Sequence, residues 1–436
     1  MPRNVLLLQG PVGPFFRKLA TQLEQNGHSV LKVNLNGGDY FYYQQGDYIN
    51  YRNTPAMWPF WIESVIVERE IERIYLFGDC RRYHRQATAI AKRLGVEIFV
   101  FEEGYVRPNY TTLERGGVNG NSAVCDKTEL AKALDAMDVP QTADDKSSAP
   151  VNSVFISAAI SAMKYYIASA VMRSHFPGYE HHRPLKLFSE GMCWIRSGCR
   201  KWVYRLSERN ISRKLINGKL PYFLVPLQVH NDTQVTQHSD YGSVEEFIER
   251  LIASFASAAE NTNLVFKHHP YDRGYKCYKK HIRELVQKHN VQGRVFYVHD
   301  TDLPALLRNA TGSVLINSTV GISSLYHQTP VKAMGNAIYD LEGLTHQGSL
   351  EAFWQSPGQV DRALFQKFRD YLITKTQLNG SVYTEVDAEC GASGMIWSAD
   401  MFRTHIQATY HNVIDLEERR AEEAALERET EKKLAV

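Results

Sequence analysis

Along this chain short apolar, β-branched runs stop abruptly at polar residues. They alternate with stretches in which apolar positions recur every three or four residues. The first pattern is that of a strand buried on both faces, the second that of a helix with one face on a core. Val5 to Leu8 reads as a strand, Gly10 to Pro14 as a turn, Phe15 to Asn26 as a helix ended by Gly27, and Ser29 to Asn34 as a second strand. Further on, Ile74 to Phe77 is a strand ending at Gly78-Asp79, Tyr83 to Leu94 a helix stopped by Gly95, and Glu97 to Phe101 a strand ending at Glu102-Glu103-Gly104. The rhythm resumes near Pro221. A strand ends at Val225-Pro-Leu-Gln228, and a helix from Ser243 to Ala259 opens with Ser243 as N-cap and Glu246 completing a capping box. Strands follow at Leu264 to Lys267, Val295 to Val298, Ser313 to Asn317 and Val331 to Met334, with helices at Tyr278 to His289 and Leu303 to Arg308 between them.

Strands alternating with helices of this length imply right-handed crossovers and parallel sheets. The fold class expected is α/β, with two Rossmann-like domains facing a cleft in the GT-B arrangement and a helical, basic segment between them. Residues 1–135 form the first domain and 136–219 the linker and central segment. The second domain covers 220–400, and 401–436 is a C-terminal helix with a charged tail. At 436 residues the chain exceeds one ordinary core, which agrees with this division.

The central segment changes the picture. Residues 139–152 have loop composition, and Val154 to Met172 is an apolar helical stretch. From Arg183 to Lys219, ten Lys and Arg face only Glu190 and Glu208, interleaved with Trp194, Ile195, Trp202, Val203 and Tyr204. Two readings stand: a solvated helix whose aromatics pack inward, or a surface that meets anionic lipid. Elsewhere charge says little, because 50 Lys and Arg against 48 Asp and Glu give a net charge of +2, unlike a general nucleic-acid binder. Six scattered cysteines with no C-x-x-C pair indicate neither a disulfide framework nor a zinc site, as in a reducing compartment. The first residues are too short an apolar run for a signal peptide, and no segment reaches the roughly 18 apolar residues needed to span a bilayer. A cytoplasmic protein is expected.

The chemistry clusters at the predicted strand ends. Asp232 emerges among Gln228, Asn231 and hydroxyls, as a base, a nucleophile or an Asx turn. Glu102 and Glu103 face it from the other domain, and a carboxylate on each wall suits glycosyl chemistry. Arg107 is placed to pair with a carboxylate or phosphate, and Asp79, Arg81 and His84 form another strand end that binds anions or caps a helix. Lys267, His268, His269 and Pro270 end a strand with groups for a donor phosphate. A metal on the two histidines is disfavoured, since neighbours on a strand face opposite ways. Asn317, Ser318 and Thr319 lead into a helix whose N–H groups attract anions, with Ser318 or Thr319 as its cap.

In this order, Gly78-Asp-Cys-Arg-Arg-Tyr-His84, Phe101-Glu-Glu-Gly-Tyr-Val-Arg-Pro108, Pro226-Leu-Gln-Val-His-Asn-Asp-Thr-Gln234, Lys267-His-His-Pro270, Ile316-Asn-Ser-Thr-Val-Gly321 and Gly343-Leu-Thr-His-Gln-Gly348 resemble one family. It is the bacterial capsular-polysaccharide synthesis and export proteins of the β-Kdo glycosyltransferase type, here the short, single-module kind. The resemblance covers about residues 3–120 and 220–355. It implies a GT-B enzyme that moves Kdo from CMP-Kdo, with retention and without a metal or other cofactor. The implied acceptor is a phosphatidylglycerol-type lipid, at the inner face of the cytoplasmic membrane, where the product starts a poly-Kdo capsule linker and other capsule proteins are partners. It also implies Asp232 as nucleophile, His269 and Pro270 near the donor phosphate, and Ser318 and Thr319 as the family's hydroxyl turn. Multi-module relatives have Glu-Asp-Gly where this chain has Glu102-Glu103-Gly104. Either glutamate can then be the acid/base, with a slight preference for Glu103. Other readings are a different GT-B nucleotide-sugar enzyme, sialyltransferase-like or an epimerase, and a non-catalytic capsule assembly or export partner.

Overall fold

A computed structural model describes residues 3–139, 151, 154–181, 187–384 and 393–406. Most of the linker expected at 139–152, residues 183–186 of the basic stretch, Cys390 and the tail beyond 406 lie outside the described residues.

The apolar runs become two sheets. The first contains β1 (Asn4–Leu7), β2 (Ser29–Asn34), β3 (Asp47–Asn50), β4 (Arg73–Phe77), β5 (Glu97–Glu103), β6 (Tyr110–Arg115) and, from the far end of the chain, β12 (Gln377–Asn379), in the order β3-β2-β1-β4-β5-β6-β12. The second contains β7 (Tyr222–Pro226), β8 (Asn263–Lys267), β9 (Val295–Val298), β10 (Gly312–Leu315) and β11 (Val331–Ala333), in the order β9-β8-β7-β10-β11. β1 to β5 pair in parallel, as do all five strands of the second sheet. Only β6 and β12 run antiparallel to their neighbours.

Both sheets therefore repeat one doubly wound order, third-second-first-fourth-fifth, and the fold is the two-lobed GT-B arrangement. Strand order reverses between β1 and β4 in one lobe and between β7 and β10 in the other. Such switch points leave a crevice at the carboxyl ends of the strands.

Alternation explains why these strands are buried on both sides. Leu6, Leu8, Ile74, Leu76, Ile98 and Val100 enter one apolar cluster, while their neighbours Val5, Leu7, Tyr75, Phe77, Phe99 and Phe101 enter another across the sheet. At the expected capping box, Ser243 Oγ accepts from Glu246 N at 3.2 Å, but Glu246 Oε2 returns the bond to Gly242 N at 2.8 Å.

The expected domain boundaries need correction at the C-terminal end. The helix Arg362–Thr376 packs on the first lobe's helix Lys127–Asp135, β12 joins β6, and at the end of the helix Ala399–His405 the first lobe's Arg73 Nη1 donates to His405 O at 3.0 Å. The second domain thus does not run on to 400. The chain returns to the first lobe, where β12 covers the edge of β6 and leaves a strand of only three residues at that end of the sheet. One apolar cluster joins the lobes, with Tyr105, Leu130 and Leu134 from the first, Leu315, Ile322 and Tyr339 from the second, and Phe365 and Phe368 from the returning helix.

The central segment divides between the lobes. The helix Val154–Val171 lies on the first lobe's helix Gly37–Tyr42, and the helix Leu187–Ser207 on the second lobe. No helix among the described residues is long and apolar enough to cross a membrane.

Candidate active site

At the second lobe's switch point, the loop after β7 carries Gln228 and Asp232, and the loop after β10 carries Asn317. Gln228 Nε2 donates to Asn317 Oδ1 at 3.1 Å and to Asp232 Oδ2 at 3.2 Å, and Gln228 Oε1 is buried with no partner in the protein. Asp232 caps the short helix Thr233–Gln237, with Oδ1 accepting from Gln234 N at 2.9 Å. These bonds orient the carboxylate, which stays partly exposed. Asn317 fastens the loops through Gln234 O and His238 O, at 3.0 and 3.2 Å. Asn231 is exposed and Thr319 makes no capping bond; the turn is closed by Ser318 Oγ, which accepts from Val320 N at 3.3 Å.

The first lobe's switch point is bridged in the same way, Arg81 Nη1 donating to Gln9 Oε1 at 3.1 Å. Beside it Glu102 is partly buried, with Oε1 accepting from Glu103 N at 3.0 Å. Burial, reinforced by the charges of Glu103 and Asp79, outweighs that hydrogen bond and Arg81, and pushes its carboxyl up to about 7. Glu103 is more exposed, and its Oε2 sits 2.9 Å from Arg107 Nη2.

Four expected site residues turn out to hold the fold. Lys267 Nζ turns into its lobe and donates to His299 O at 3.1 Å, so it cannot meet a donor phosphate, and burial lowers its pKa. His268 faces the opposite side of the strand end but is also buried, 2.6 Å from Tyr297 Oη, and burial holds its pKa down at about 3. His84 is fully buried, 2.6 Å from Gly78 O, and burial lowers its pKa to about 3. Asp79 is buried, its Oδ2 accepting from Val118 N at 3.1 Å and Asn121 Nδ2 at 3.0 Å. Lys267, His268 and Asp79 stand at or just past strand ends and His84 stands in the first turn of the helix Arg82–Arg93, yet all four bond within their own lobe.

His269, next to exposed Pro270, does reach the cleft. Its Nδ1 accepts from Tyr271 N at 3.2 Å, which places the ring proton on Nε2. Burial, then Lys267 and Arg107, lower its pKa to about 4, so it is neutral near pH 7. The charge of Arg107 reaches His269 from the opposite lobe, and Glu103 and Arg107 both act on Tyr271.

Two further groups were not among the expected site residues. His238 lies between the lobes: Cys80 Sγ is 3.4 Å from its Nε2, its ring covers Gly120, and the charges of Asp79 and Asp232 both act on it against a stronger lowering by burial. It thereby links the two walls. A groove of about 680 Å³ begins there, lined by His238, Ser239, Arg250 and Lys332 among others. His230, inside the quoted motif, holds the wholly buried Asp272 through Nδ1 at 2.6 Å and its backbone N at 2.7 Å.

Residues 72–383 match the family described as capsule polysaccharide biosynthesis protein. The chain belongs to this family. Among its relatives, the capsule polysaccharide export protein KpsS of Escherichia coli is 40% identical over 383 residues, 87% of this chain and 97% of that protein. The capsule polysaccharide modification protein LipB of Neisseria meningitidis serogroup B is 38% identical over 388 residues, 88% and 92% of the two chains. Solved structures are looser likenesses. The Thermosulfurimonas dismutans KpsC beta Kdo 2,7 transferase is 14% identical with a TM-score of 0.37, covering 85% of this chain and 100% of that one. Anabaena HepE with UDP-glucose is 11% identical with a TM-score of 0.32, covering 86% and 95%. Among the described residues no group of three or more His, Cys, Asp and Glu is placed to hold a metal ion.

Proposed function

We propose that this family member is a retaining β-Kdo transferase that moves Kdo from CMP-Kdo to a phosphatidylglycerol-type lipid, at the inner face of the cytoplasmic membrane. The observation that carries the reading is the pair of carboxylates at facing switch points: Asp232, oriented by Gln228 and Gln234 N–H, and Glu102, its carboxyl raised to about 7. Asp232 attacks the anomeric carbon, and CMP departs with the electron pair of the broken C–O bond. The phosphate leaving group has low proton affinity and needs no acid. The acceptor's hydroxyl oxygen then attacks the same carbon, the Asp232 carboxylate leaves, and the hydroxyl proton passes to Glu102. Two inversions give retention. A group poised near pH 7 is suited to that base role, which turns the preference from Glu103, tied to Arg107, towards Glu102. Neutral His269 offers Nε2–H to the donor phosphate, and Arg107 and Arg81 supply the positive charge that inward-turned Lys267 does not. No metal or cofactor is required.

Purified protein incubated with CMP-Kdo and short-chain phosphatidylglycerol should give a Kdo-lipid detectable by mass spectrometry, and Asp232→Ala should give none while remaining folded. Absence of product from the wild-type protein would end the transferase reading. Product from Asp232→Ala at the wild-type rate would end the nucleophile's assignment.

A further inference from the structure

Ten of the twenty large apolar side chains that are exposed among the described residues lie on just two helices, Val154–Val171 and Leu187–Ser207. On the first, Ile160, Met163, Ile167 and Val171 follow one another at helical spacing along one face, Val171 being 75% exposed. The other face is fastened to the first lobe. Gly37 and Gly38 let it sit flush, since a Cβ on either would come within 2.5 Å of Ala168 O or the Tyr165 ring. Tyr165 Oη donates to Asp39 Oδ1 at 2.9 Å and accepts from Asn36 Nδ2 at 2.7 Å.

The second helix is built likewise on the other lobe. Its inner face bears Cys193, Ser197, Arg200 and Tyr204: Arg200 Nη1 donates to Arg273 O at 2.9 Å, and Tyr204 stacks on His299 with ring centroids 3.6 Å apart. Arg196 donates to Gly274 O, and Glu208, just past the helix, accepts from His299 N at 2.8 Å. The outer face bears Ile195, Trp202 at 67% exposure, Val203 and Leu206 at 73%. The reading in which the aromatics pack inward holds for Tyr204 but is overturned for Trp194 and Trp202, and Arg200 also turns inward. The two helices touch each other, which brings the stripes of both lobes into one region.

We propose that these two stripes together are the seat of an anionic phospholipid bilayer, one helix docking each lobe. Charge selects this occupant. The sequence has no Asp or Glu from Val154 to Tyr179 or from Gly191 to Ser207, while Lys164, Arg173, Lys201 and Arg205 are exposed. An apolar stripe with tryptophan, flanked by cations and with Glu190 the one carboxylate in the sequence of either helix, matches the boundary between acyl chains and anionic headgroups. The chain's own residues 417–433 are mostly charged, with Leu426 their one large apolar residue, and do not complement such a stripe. The docking deepens the lipid-acceptor reading and rests on it only for its purpose, because binding to vesicles is measured without Kdo transfer.

The test uses the full chain sedimented with vesicles of phosphatidylcholine alone or mixed with phosphatidylglycerol. Wild-type protein should bind the mixed vesicles at least tenfold more tightly. Met163→Glu with Ile167→Glu on one helix, and Ile195→Glu with Trp202→Glu on the other, should each weaken that binding at least tenfold. Transfer to a short-chain phosphatidylglycerol dispersed as monomers should stay within twofold in both variants, which also shows that they fold. Equal binding to both vesicle types, or unchanged binding by either double variant, overturns the proposal. So does a wild-type dimer, indifferent to vesicles, that the substitutions convert to monomer, since the stripes would then be an interface between copies. Vesicle binding without any Kdo transfer would leave the docking standing and remove only the enzymatic reading.

Discussion

Glu102 and Glu103 are adjacent at the end of β5, and a strand sends neighbours to opposite faces. One lies beside Arg81 and Asp79 and loses solvent; the other reaches Arg107. Glu102→Gln should lower transfer by about 10²-fold or more, the usual contribution of a positioned base, while Glu103→Gln should cost far less. The pH dependence follows from the raised pKa. The base must be ionised, so the wild-type rate should fall as pH drops through about 7, and the limb should vanish in Glu102→Gln. Steady-state rates between pH 5.5 and 8.5 check both statements; equal losses in the two variants would remove the distinction.

At the scale of elements, each lobe turns its switch point into a site with one amide bridge, Gln228 to Asn317 and Gln9 to Arg81. Helix attachment uses buried polar bonds as well as apolar contact. Tyr165 carries three of them, to Asp39, Asn36 and Gln9. Tyr165→Phe keeps the ring's packing but strips those partners of the hydroxyl inside the protein, so it should destabilise the fold by about 1–3 kcal/mol. Chemical denaturation checks this, and a loss near zero would show that the helix is held by its apolar contacts alone.

For the whole molecule, two sets of buried groups oppose each other across acid pH. His84, His268 and His405 are held at about 3 and His269 at about 4, so the unfolded chain binds protons below pH 6.5 that the folded one refuses. Their contribution is complete above pH 6.5 and is lost on acidification. Glu102 and Glu114, both raised to about 7, act with the opposite sign: their ionisation penalty is present above pH 7 and is relieved as pH falls towards 4.5. Four histidines outweigh two carboxyls, so the denaturant midpoint should fall steadily from pH 6.5 to 5 and change little from 7 to 8. A midpoint that rises on acidification would contradict the burial of these histidines.

The alternation of apolar runs determined the strands of both sheets to within one or two residues, apart from short β3, antiparallel β6 and β12. It also determined where Asp232, Glu102 and His269 leave them, because strand and helix periods are local properties of the backbone. The motif at Lys267-His-His-Pro270 was legible as a strand end, yet which of its side chains faced the cleft was not. That choice depends on what each tip meets in three dimensions, His299 O for Lys267 and Tyr297 for His268. The return of residues 362–406 to the first lobe, the wedge of His238 between the walls and the outward turn of Trp202 are long-range facts of the same kind. They depend on which surfaces were already covered by distant parts of the chain, and no local period records that.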